Sequence, residues 1–347
     1  MENMVKKVLV TGNNGYIGSV LCDKLRAESF EVKGLDTNFY KNCHFFEKVE
    51  CICGVSKDIR KIEEKDISEF DAIIHLAALS NDPVGALNPE ITKDINYQAT
   101  VRLAKLAKES GVKRFLFSSS CSIYGISGQD DAVDEDGKLS PLTEYASSKV
   151  ESERAIGLLS DDNFSPVFLR NATVYGVSPM LRVDLVINNL VAWAHTTGSI
   201  RIMSDGSPWR PLIHVQDISK AFIAVLKAPK DLIHNQTFNV GCNSENYRIM
   251  DIGEAIKKVM PDCRIEYTGE HGVDSRSYRV DFSKFSEVLG DYYKPVWNIE
   301  RGIEELRDMY TKEDFSENDF HGTKFTRLKT IKKLLEEGQV DKYLFWR

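Results

Sequence analysis

The chain has 347 residues, of which 42% are hydrophobic and 28% charged, and its net charge is −7. No stretch reaches the roughly 18 apolar residues that a membrane span needs, and no basic cluster stands out, so neither a membrane nor a nucleic acid is expected as a partner. The length exceeds the usual size of one hydrophobic core and predicts two lobes, and the lack of a signal-like start favours the cytoplasm.

The first half of the chain alternates short apolar runs with helical patterns, as in a parallel sheet built from βαβ units. Helices are predicted at Gly15–Ala27, Asn88–Ser110 and Thr143–Leu159, the second with Asn88 as its N-cap and a proline in its first turn. Strands are predicted at Lys7–Thr11, Glu31–Leu35, Val49–Cys53, Asp71–Leu76, Arg114–Ser119 and Pro166–Arg170. This pattern predicts an α/β fold with a doubly wound parallel sheet of the Rossmann type.

The second half is less regular. We expect residues 1–178 to form a dinucleotide-binding domain to which residues 211–242 return, and residues 179–210 and 243–347 to form a smaller substrate-binding lobe and a tail. The elements predicted here are a helix near Asp184–Ala194, a strand near Ile200–Met203, a helix at Pro211–Lys227 and a strand at Gln236–Gly241. The tail should contain an amphipathic helix that packs on its own body or on a partner subunit, formed by Phe325, Leu328, Ile331, Leu334 and Leu335.

A glycine-rich segment, TGNNGYIG at positions 11–18, follows the first strand and opens the first helix. Gly12 permits a tight turn, Gly15 lets backbone amides approach a pyrophosphate, and Gly18 permits close packing of helix and strand. Asp36 ends the second strand, where a carboxylate accepts hydrogen bonds from ribose hydroxyls and repels a 2′-phosphate, so NAD is favoured over NADP. The alternatives are that Asp36 is an ordinary loop carboxylate and that Lys41 nearby accommodates NADP.

A second motif places Tyr145 and Lys149 four residues apart, on one face of a helix. An ammonium group beside a phenol favours the phenolate, so the pKa of Tyr145 is expected to fall from about 10 toward neutrality, as a general base requires. Ser120, at the end of a serine run, is expected to hydrogen-bond the reacting oxygen of the substrate and to share its proton with Tyr145.

The cysteines and histidines have simpler interpretations. Seven scattered cysteines indicate reduced thiols, and the C-x-C pair Cys51 and Cys53 has no second ligand pair, so no metal site is predicted. His75 and His214 are expected to organise strand ends rather than to act as acids or ligands. We assign Cys121 no catalytic role.

Together these motifs resemble the extended short-chain dehydrogenase/reductases that act on nucleotide-sugars, from the first strand to about Tyr310. Further matching segments are Asp58-Ile59, HLAA at 75–78, Asn96, SSSCSIYG at 118–125, YASSK at 145–149, LRNATVYG at 169–176, RPLIHVQD at 210–217 and DSRSYRVD at 274–281. The resemblance implies that Asp58 and Ile59 flank the adenine and that Lys149 also holds the nicotinamide ribose. It implies that Arg210 and Arg276 contact the diphosphate or nucleoside of the sugar donor.

The resemblance and the motifs define two sets of site residues. The cofactor-binding set is Gly12, Asn14, Gly15, Tyr16, Ile17, Gly18, Asp36, Asp58, Ile59, Leu76, Ala77, Ala78, Asn96, Tyr145 and Lys149. The substrate-binding set is Ser120, Ser122, Tyr145, Thr173, Arg210 and Arg276, and the catalytic residues are Ser120, Tyr145 and Lys149. Family members are usually dimers, so we expect a homodimer joined through the helices at 88–110 and 143–159.

The resemblance also narrows the reaction. Family dehydratases carry an Asp-Glu pair, and decarboxylases a Glu, where this chain has Cys121-Ser122. Of the reactions known in the family, this leaves oxidation and reduction at one sugar carbon, C4. The serine at position 122 then favours a 4-epimerase over a 4-dehydrogenase or 4-ketoreductase. A non-catalytic NAD sensor is a further alternative, disfavoured because Tyr145 and Lys149 are both present. No G-x-S-x-G segment supports a hydrolase.

Overall fold

The computed structural model describes residues 5–46, 54–80, 82–127, 131–270 and 276–347. The strands are β1 (Lys7–Thr11), β2 (Glu31–Asp36), β3 (Gly54–Ser56), β4 (Ala72–His75), β5 (Arg114–Ser120), β6 (Ile126–Ser127), β7 (Ser165–Asn171), β8 (Thr173–Tyr175), β9 (Ser199–Ile202), β10 (Trp209–His214), β11 (Thr237–Val240), β12 (Asn246–Arg248), β13 (Arg264–Tyr267) and β14 (Ser277–Tyr278). The helices are α1 (Tyr16–Ala27), α2 (Asp82–Gly85), α3 (Pro89–Lys93), α4 (Ala99–Glu109), α5 (Glu144–Gly157), α6 (Val186–Thr197), α7 (Val215–Lys227), α8 (Lys230–Ile233), α9 (Ile249–Val259), α10 (Ser283–Leu289), α11 (Ile299–Lys312), α12 (Glu317–His321) and α13 (Arg327–Glu336).

A seven-stranded parallel sheet in the order β11-β7-β5-β4-β1-β2-β3 forms the centre of the molecule. Successive side chains of β1 point to opposite faces, so Val8 and Val10 join the apolar cluster that includes α1 and α7, while Leu9 joins the cluster on the other face. The strand order reverses between β1 and β4, which opens a crevice at their carboxyl ends. The predicted doubly wound α/β fold is confirmed.

In the first half of the chain, one predicted strand lies outside the described residues and one predicted helix is interrupted. The strand predicted at Val49–Cys53 lies outside the described residues, and the strand that pairs with β2 is Gly54–Ser56. The helix predicted at Asn88–Ser110 is not continuous, because a π-helical stretch, Asp94–Gln98, separates α3 from α4. Such local widening is often found at functional sites.

The helix predicted at Pro211–Lys227 was wrong in its first four residues, which belong to β10. Leu212 pairs with Thr173 of β8, and Pro211 faces Asn246 of β12, so long-range pairing decides this segment. The helix begins only at Val215, where the Nδ1 atom of His214 accepts a hydrogen bond from the backbone N–H of Gln216 at 3.3 Å. The strand predicted at Gln236–Gly241 is β11, the edge of the main sheet.

The tail folds back on the main sheet rather than remaining with the preceding elements. Ile331 and Leu334 of α13, followed by Val340 and Leu344, share an apolar cluster with Leu9 of β1 and its neighbours. Phe325, just before α13, belongs instead to the cluster around α6 and α11. The amphipathic helix predicted here therefore packs on its own body. In the described part of the chain, no helix combines the length and the apolar character that crossing a bilayer requires.

Candidate active site

A cavity of about 730 Å³ lies at the carboxyl ends of the central strands, between the sheet and the elements after residue 178. Eighteen of the predicted site residues line it, and they come from both sets: Gly12, Gly15, Tyr16, Ile17, Gly18, Asp36, Asp58, Ile59, Leu76, Ala77, Ala78, Ser120, Ser122, Tyr145, Lys149, Thr173, Arg210 and Arg276. The structure thus brings together residues that the sequence separates by more than 250 positions.

Two predicted cofactor residues, Asn14 and Asn96, do not line this cavity. The amide of Asn96 is buried and bonds both backbone groups of Leu79, accepting from its N–H at 2.8 Å and donating to its carbonyl at 3.1 Å. The Asn14 side chain donates to Asn38 at 2.7 Å, and its backbone N–H donates to Asp36 at 3.1 Å. Both asparagines therefore support the cavity wall, and their assignment as cofactor-binding residues stays a prediction.

The glycine segment has the conformation that its sequence predicts. Gly12 has a φ of +76°, and a Cβ atom there would lie 2.8 Å from the backbone nitrogen of Ala77. A Cβ atom at Gly18 would lie 2.2 Å from the carbonyl oxygen of Gly12, so only glycine lets α1 pack this closely. Gly15 is the N-cap of α1 and provides no side-chain acceptor, so the first N–H groups of the helix remain available to an anion.

Asp36 ends β2 at the same edge of the cavity. Its Oδ1 accepts from the backbone N–H of Asn38 at 2.7 Å, while its Oδ2 accepts the Asn14 N–H. Burial raises the pKa of the Asp36 carboxyl above its ordinary value, and these two N–H groups act in the opposite direction. The carboxylate is thus held in place by backbone donors and keeps lone pairs for hydroxyl groups.

This arrangement predicts selectivity for NAD over NADP. Like charges placed together at a binding surface cost several kcal/mol, so a 2′-phosphate beside Asp36 should weaken binding at least about tenfold, since about 1.4 kcal/mol is a factor of ten. Titration of both dinucleotides measures the ratio, and Asp36→Ala should reduce it. Equal or tighter binding of NADP by the unaltered protein would show that Asp36 does not face the ribose.

Tyr145 and Lys149 lie in the first turns of α5, which Thr143 caps by accepting the N–H of Ala146 at 3.2 Å. The hydroxyl of Ser120 acts to lower the pKa of the Tyr145 phenol, against the larger effect of burial. The ammonium nitrogen of Lys149 donates to the carbonyl of Ser118 at 2.7 Å and lies 5.7 Å from the centre of the Tyr145 ring. Serine, tyrosine and lysine therefore meet at one wall of the cavity, as predicted.

The expected fall in the pKa of Tyr145 was wrong for this arrangement. Burial, assisted by the nearby Asp82 carboxylate, raises the pKa of Tyr145 to about 12. Burial likewise lowers the pKa of Lys149 to about 7, against the opposing effect of Glu153. The physical reason is that desolvation disfavours both charged forms, and the Lys149 ammonium is directed at a backbone carbonyl.

A buried ionic network lies beneath these residues, and sequence reasoning did not assign it a role. Glu153, one turn after Lys149 on α5, accepts three hydrogen bonds from Arg170 of β7, two from Nε at 3.2 Å and one from Nη2 at 2.8 Å. Arg170 also donates to the Tyr124 hydroxyl at 3.0 Å and to the Glu135 carbonyl at 2.8 Å. The only available sequence signal was the four-residue spacing from Lys149 to Glu153.

Arg210 and Arg276 line the same cavity. Arg276 forms an ion pair with Asp82 of α2, which in turn accepts a hydrogen bond from the Thr143 hydroxyl at 2.5 Å. Arg210 is buried and donates to the carbonyls of Trp209, at 2.8 Å, and of Arg276. Sequence reasoning missed Asp82, which joins the segment before β14 to the N-cap of α5.

The histidines and Cys121 have supporting positions. His75 is buried between the hydroxyls of Thr11 at 2.6 Å and Thr100 at 2.7 Å, and burial lowers its pKa to about 3. His214 bonds Glu305 at 2.9 Å. Cys121 is buried, and its thiol donates to the Arg170 carbonyl at 3.2 Å, while burial raises its pKa. The interpretation of both histidines as organisers of strand ends is confirmed.

Comparison with known proteins establishes the family. The model of the NAD-dependent epimerase/dehydratase family matches residues 8–241. This chain belongs to that family. A UDP-glucuronate 4-epimerase of Thermodesulfobacterium geofontis is 30% identical over 314 residues, which cover 85% of this chain and 93% of the relative. The UDP-glucose 4-epimerase of Bacillus subtilis is 25% identical, with 86% and 94% covered.

Solved structures of the family have the same fold. A UDP-glucuronic acid 4-epimerase from Bacillus cereus, in complex with UDP-glucuronic acid and NAD, has a TM-score of 0.75 and 25% identity, with 88% of this chain and 99% of that chain covered. The resemblance that the motifs indicated is confirmed, and the protein is an NAD-dependent enzyme. The residues present fit the cofactor, since Gly12 and Gly18 leave no room for side chains and the N-terminus of α1 faces the cavity.

Proposed function

We propose that this enzyme inverts the C4 hydroxyl of a sugar carried on UDP. The main support for this proposal is that Ser120, Tyr145 and Lys149 line the same cavity as the glycine segment. In addition, Cys121 and Ser122 stand where family dehydratases and decarboxylases carry their acidic residues. The relatives and solved structures named as UDP-sugar 4-epimerases support C4 and UDP. A 4-dehydrogenase or 4-ketoreductase with the same residues is the second candidate.

Each of the three catalytic side chains has a separate role in the proposed reaction. NAD, when bound, supplies a hydride acceptor and a positive charge. Tyr145 takes the proton of the reacting hydroxyl and Ser120 holds the sugar oxygen, because both side chains line the cavity and interact with each other. Lys149 stabilises the phenolate while its amine is charged. The same groups return the proton when the opposite face of the carbon is reduced.

Product analysis distinguishes the candidate functions. The purified enzyme with NAD is incubated with UDP-glucose, UDP-galactose and UDP-glucuronate, and the sugar products are assigned by NMR while NADH is followed by absorbance. An epimerase converts one sugar into its C4 epimer without net NADH, whereas a dehydrogenase forms one NADH for each ketosugar. Binding of NAD without conversion of any nucleotide-sugar would instead support the sensor.

We also propose the division of labour between the two parts of the chain, with residues 1–178 and 211–242 holding NAD and the remaining segments before the tail holding the sugar nucleotide. Arg210→Ala and Arg276→Ala should each weaken nucleotide-sugar binding by about 1.5–3 kcal/mol, the contribution of a hydrogen bond to a charged group, and leave NAD affinity nearly unchanged. Calorimetric titration of each ligand measures both effects.

The matched control is Arg264→Ala, which removes an exposed guanidinium from β13. If the pair of Arg276 with Asp82 is only a structural salt bridge, Arg276→Ala and Asp82→Asn will lower the Tm and leave both ligands bound normally. A loss of NAD affinity in the Arg210 or Arg276 variants would refute the proposed division.

A homodimer joined through α3, α4 and α5 is part of the proposal. Leu158, which follows α5, is 88% exposed, and such an apolar side chain on this face supports a helix-to-helix contact between subunits. Light scattering at micromolar concentration should give the mass of a dimer, and Leu158→Asp should shift it toward the monomer. A monomeric mass for the unaltered protein would exclude this assembly.

A further inference from the structure

The C-terminal segment 326–347 covers one end of the cavity and lies beyond the residues that the family model matches. The indole N–H of Trp346 donates to the carbonyl of Thr37 at 2.5 Å, and its ring centre lies 5.9 Å from that of Phe39. Arg60 donates to the Tyr343 carbonyl at 2.9 Å. Because Thr37 and Phe39 line the cavity after β2, the tail is joined to the same wall that carries Asp36.

Arg327, the first residue of α13, brings a buried guanidinium to this wall. It lines the cavity although only 3% of its surface is exposed. Its Nη2 donates to the Met180 carbonyl at 2.9 Å, and its guanidinium carbon lies 4.2 Å from the centre of the Tyr40 ring. Its Nη1 is buried and has no hydrogen-bond partner among the residues described.

The charge around Arg327 is unbalanced. In the described ranges no carboxylate lies within ion-pair distance of it, while a second buried guanidinium, Arg182, lines the same cavity and engages Asp184 with two hydrogen bonds at 2.9 and 3.1 Å. Burial lowers the pKa of Arg327 below its ordinary value and Arg182 acts in the same direction, while Tyr40, Cys43 and Asp184 act against them. A buried cation without an ion pair is costly, so an anion is expected to occupy the cavity beside it.

The position of Arg327 indicates which anion this is. Its charge lowers the pKa of Asp36 and of Tyr40. Both residues lie in the segment that follows β1 and α1, which the glycine motif assigns to the dinucleotide. Arg182 acts in the same way on Tyr16, the first residue of α1, whose N-terminus attracts phosphate. Arg210 and Arg276, by contrast, belong to β10 and to the segment before β14.

We propose that Arg327, with Arg182 beside it, binds the diphosphate of the dinucleotide, so that the C-terminal segment completes the cofactor site. The inference rests on the proposed function in assigning this end of the cavity to NAD. A planar guanidinium with a free donor suits phosphate oxygens, which accept paired hydrogen bonds from it. Arg327 is thereby a cofactor-binding residue that lies outside the matched family region.

The test compares Arg327→Gln with Lys332→Gln in the full chain. Lys332 is an exposed cation on the same helix, and its side chain is absent from the cavity lining. Calorimetry with NAD, NADH and ADP-ribose should show about ten- to a hundredfold weaker binding to Arg327→Gln and unchanged binding to Lys332→Gln. UDP should bind both variants as it binds the unaltered protein, because the proposed division assigns its diphosphate to Arg210 and Arg276.

Unchanged NAD affinity in Arg327→Gln, with or without a lowered Tm of the ligand-free protein, would overturn the proposal. A loss of UDP binding in place of NAD binding would also overturn it. A loss confined to NADP would do the same, because Arg327 would then bind a 2′-phosphate. If Arg327→Gln does not fold, Arg327→Lys decides by the same titrations, since lysine retains the charge and loses the paired donors. These measurements need no turnover. Absence of epimerase activity therefore leaves them valid, whereas failure of the unaltered protein to bind NAD would refute the proposed function instead.

Discussion

Replacing Tyr145 with phenylalanine is expected to lower kcat by about 10²- to 10⁴-fold, the usual contribution of a positioned proton acceptor, and to leave the protein folded. The ring keeps its contacts, and only the hydroxyl group is lost. Burial raises the pKa of Tyr145 to about 12, so its phenol is protonated at neutral pH and the base form increases as the pH rises. The unaltered enzyme should therefore gain activity as the pH rises toward about 7, the pKa of Lys149 above which its amine loses its charge, and the variant should lose this rise.

Steady-state kinetics with a UDP-sugar, together with circular dichroism, check this prediction. Tyr97→Phe is the matched control, because it removes a phenol hydroxyl from a tyrosine that does not line the cavity. Lys149→Ala should give a loss comparable to that of Tyr145→Phe, since no other charged amine lies beside the phenol among the cavity residues described. A decrease of less than tenfold for Tyr145→Phe would mean that another group accepts the proton.

Replacing Glu153 with glutamine should destabilise the protein by about 3–5 kcal/mol, the usual cost of removing one partner from a buried ion pair. Glu153 and Arg170 have side chains that are 8% and 7% exposed, so Arg170 would retain a buried charge without its partner. The free energy of unfolding from urea titration measures this cost. Glu151→Gln is the control, because Glu151 lies on the same helix and its pair with Lys93 at 3.8 Å is largely exposed, where ion pairs contribute about 0–1 kcal/mol.

The same substitution should also alter the pH profile of the reaction. The Glu153 carboxylate raises the pKa of Lys149, whose value burial lowers to about 7. Without that carboxylate the pKa of Lys149 falls further, so the charged amine is lost at lower pH and the alkaline decline of kcat should move to lower pH. The double variant Glu153→Leu with Arg170→Met should recover part of the stability without restoring the profile. Equal stability of the Glu153 and Glu151 variants would contradict the role of this network.

The sequence by itself determined the parts of the protein that depend on neighbours along the chain. Gly12 is required by its positive φ and Gly18 by its contact with the Gly12 carbonyl oxygen, and Tyr145 and Lys149 share a face because a helix repeats every 3.6 residues. Strand and helix periodicity likewise predicted the doubly wound sheet. These features follow from local geometry, which is the same wherever the segment lies in the fold.

Only the tertiary structure decided the features that depend on distant residues. β10 is a strand because β8 and β12 pair with it, and the Asp82–Arg276 and Glu153–Arg170 pairs join elements far apart in the chain. The pKa of Tyr145 rises rather than falls because burial, which no local spacing encodes, is its largest cause, and the Asp82 carboxylate acts in the same direction. Arg327 reaches the cavity only because α13 packs on the main sheet. Pairing, burial and charge are properties of the assembled chain, since each depends on which remote segments surround a residue.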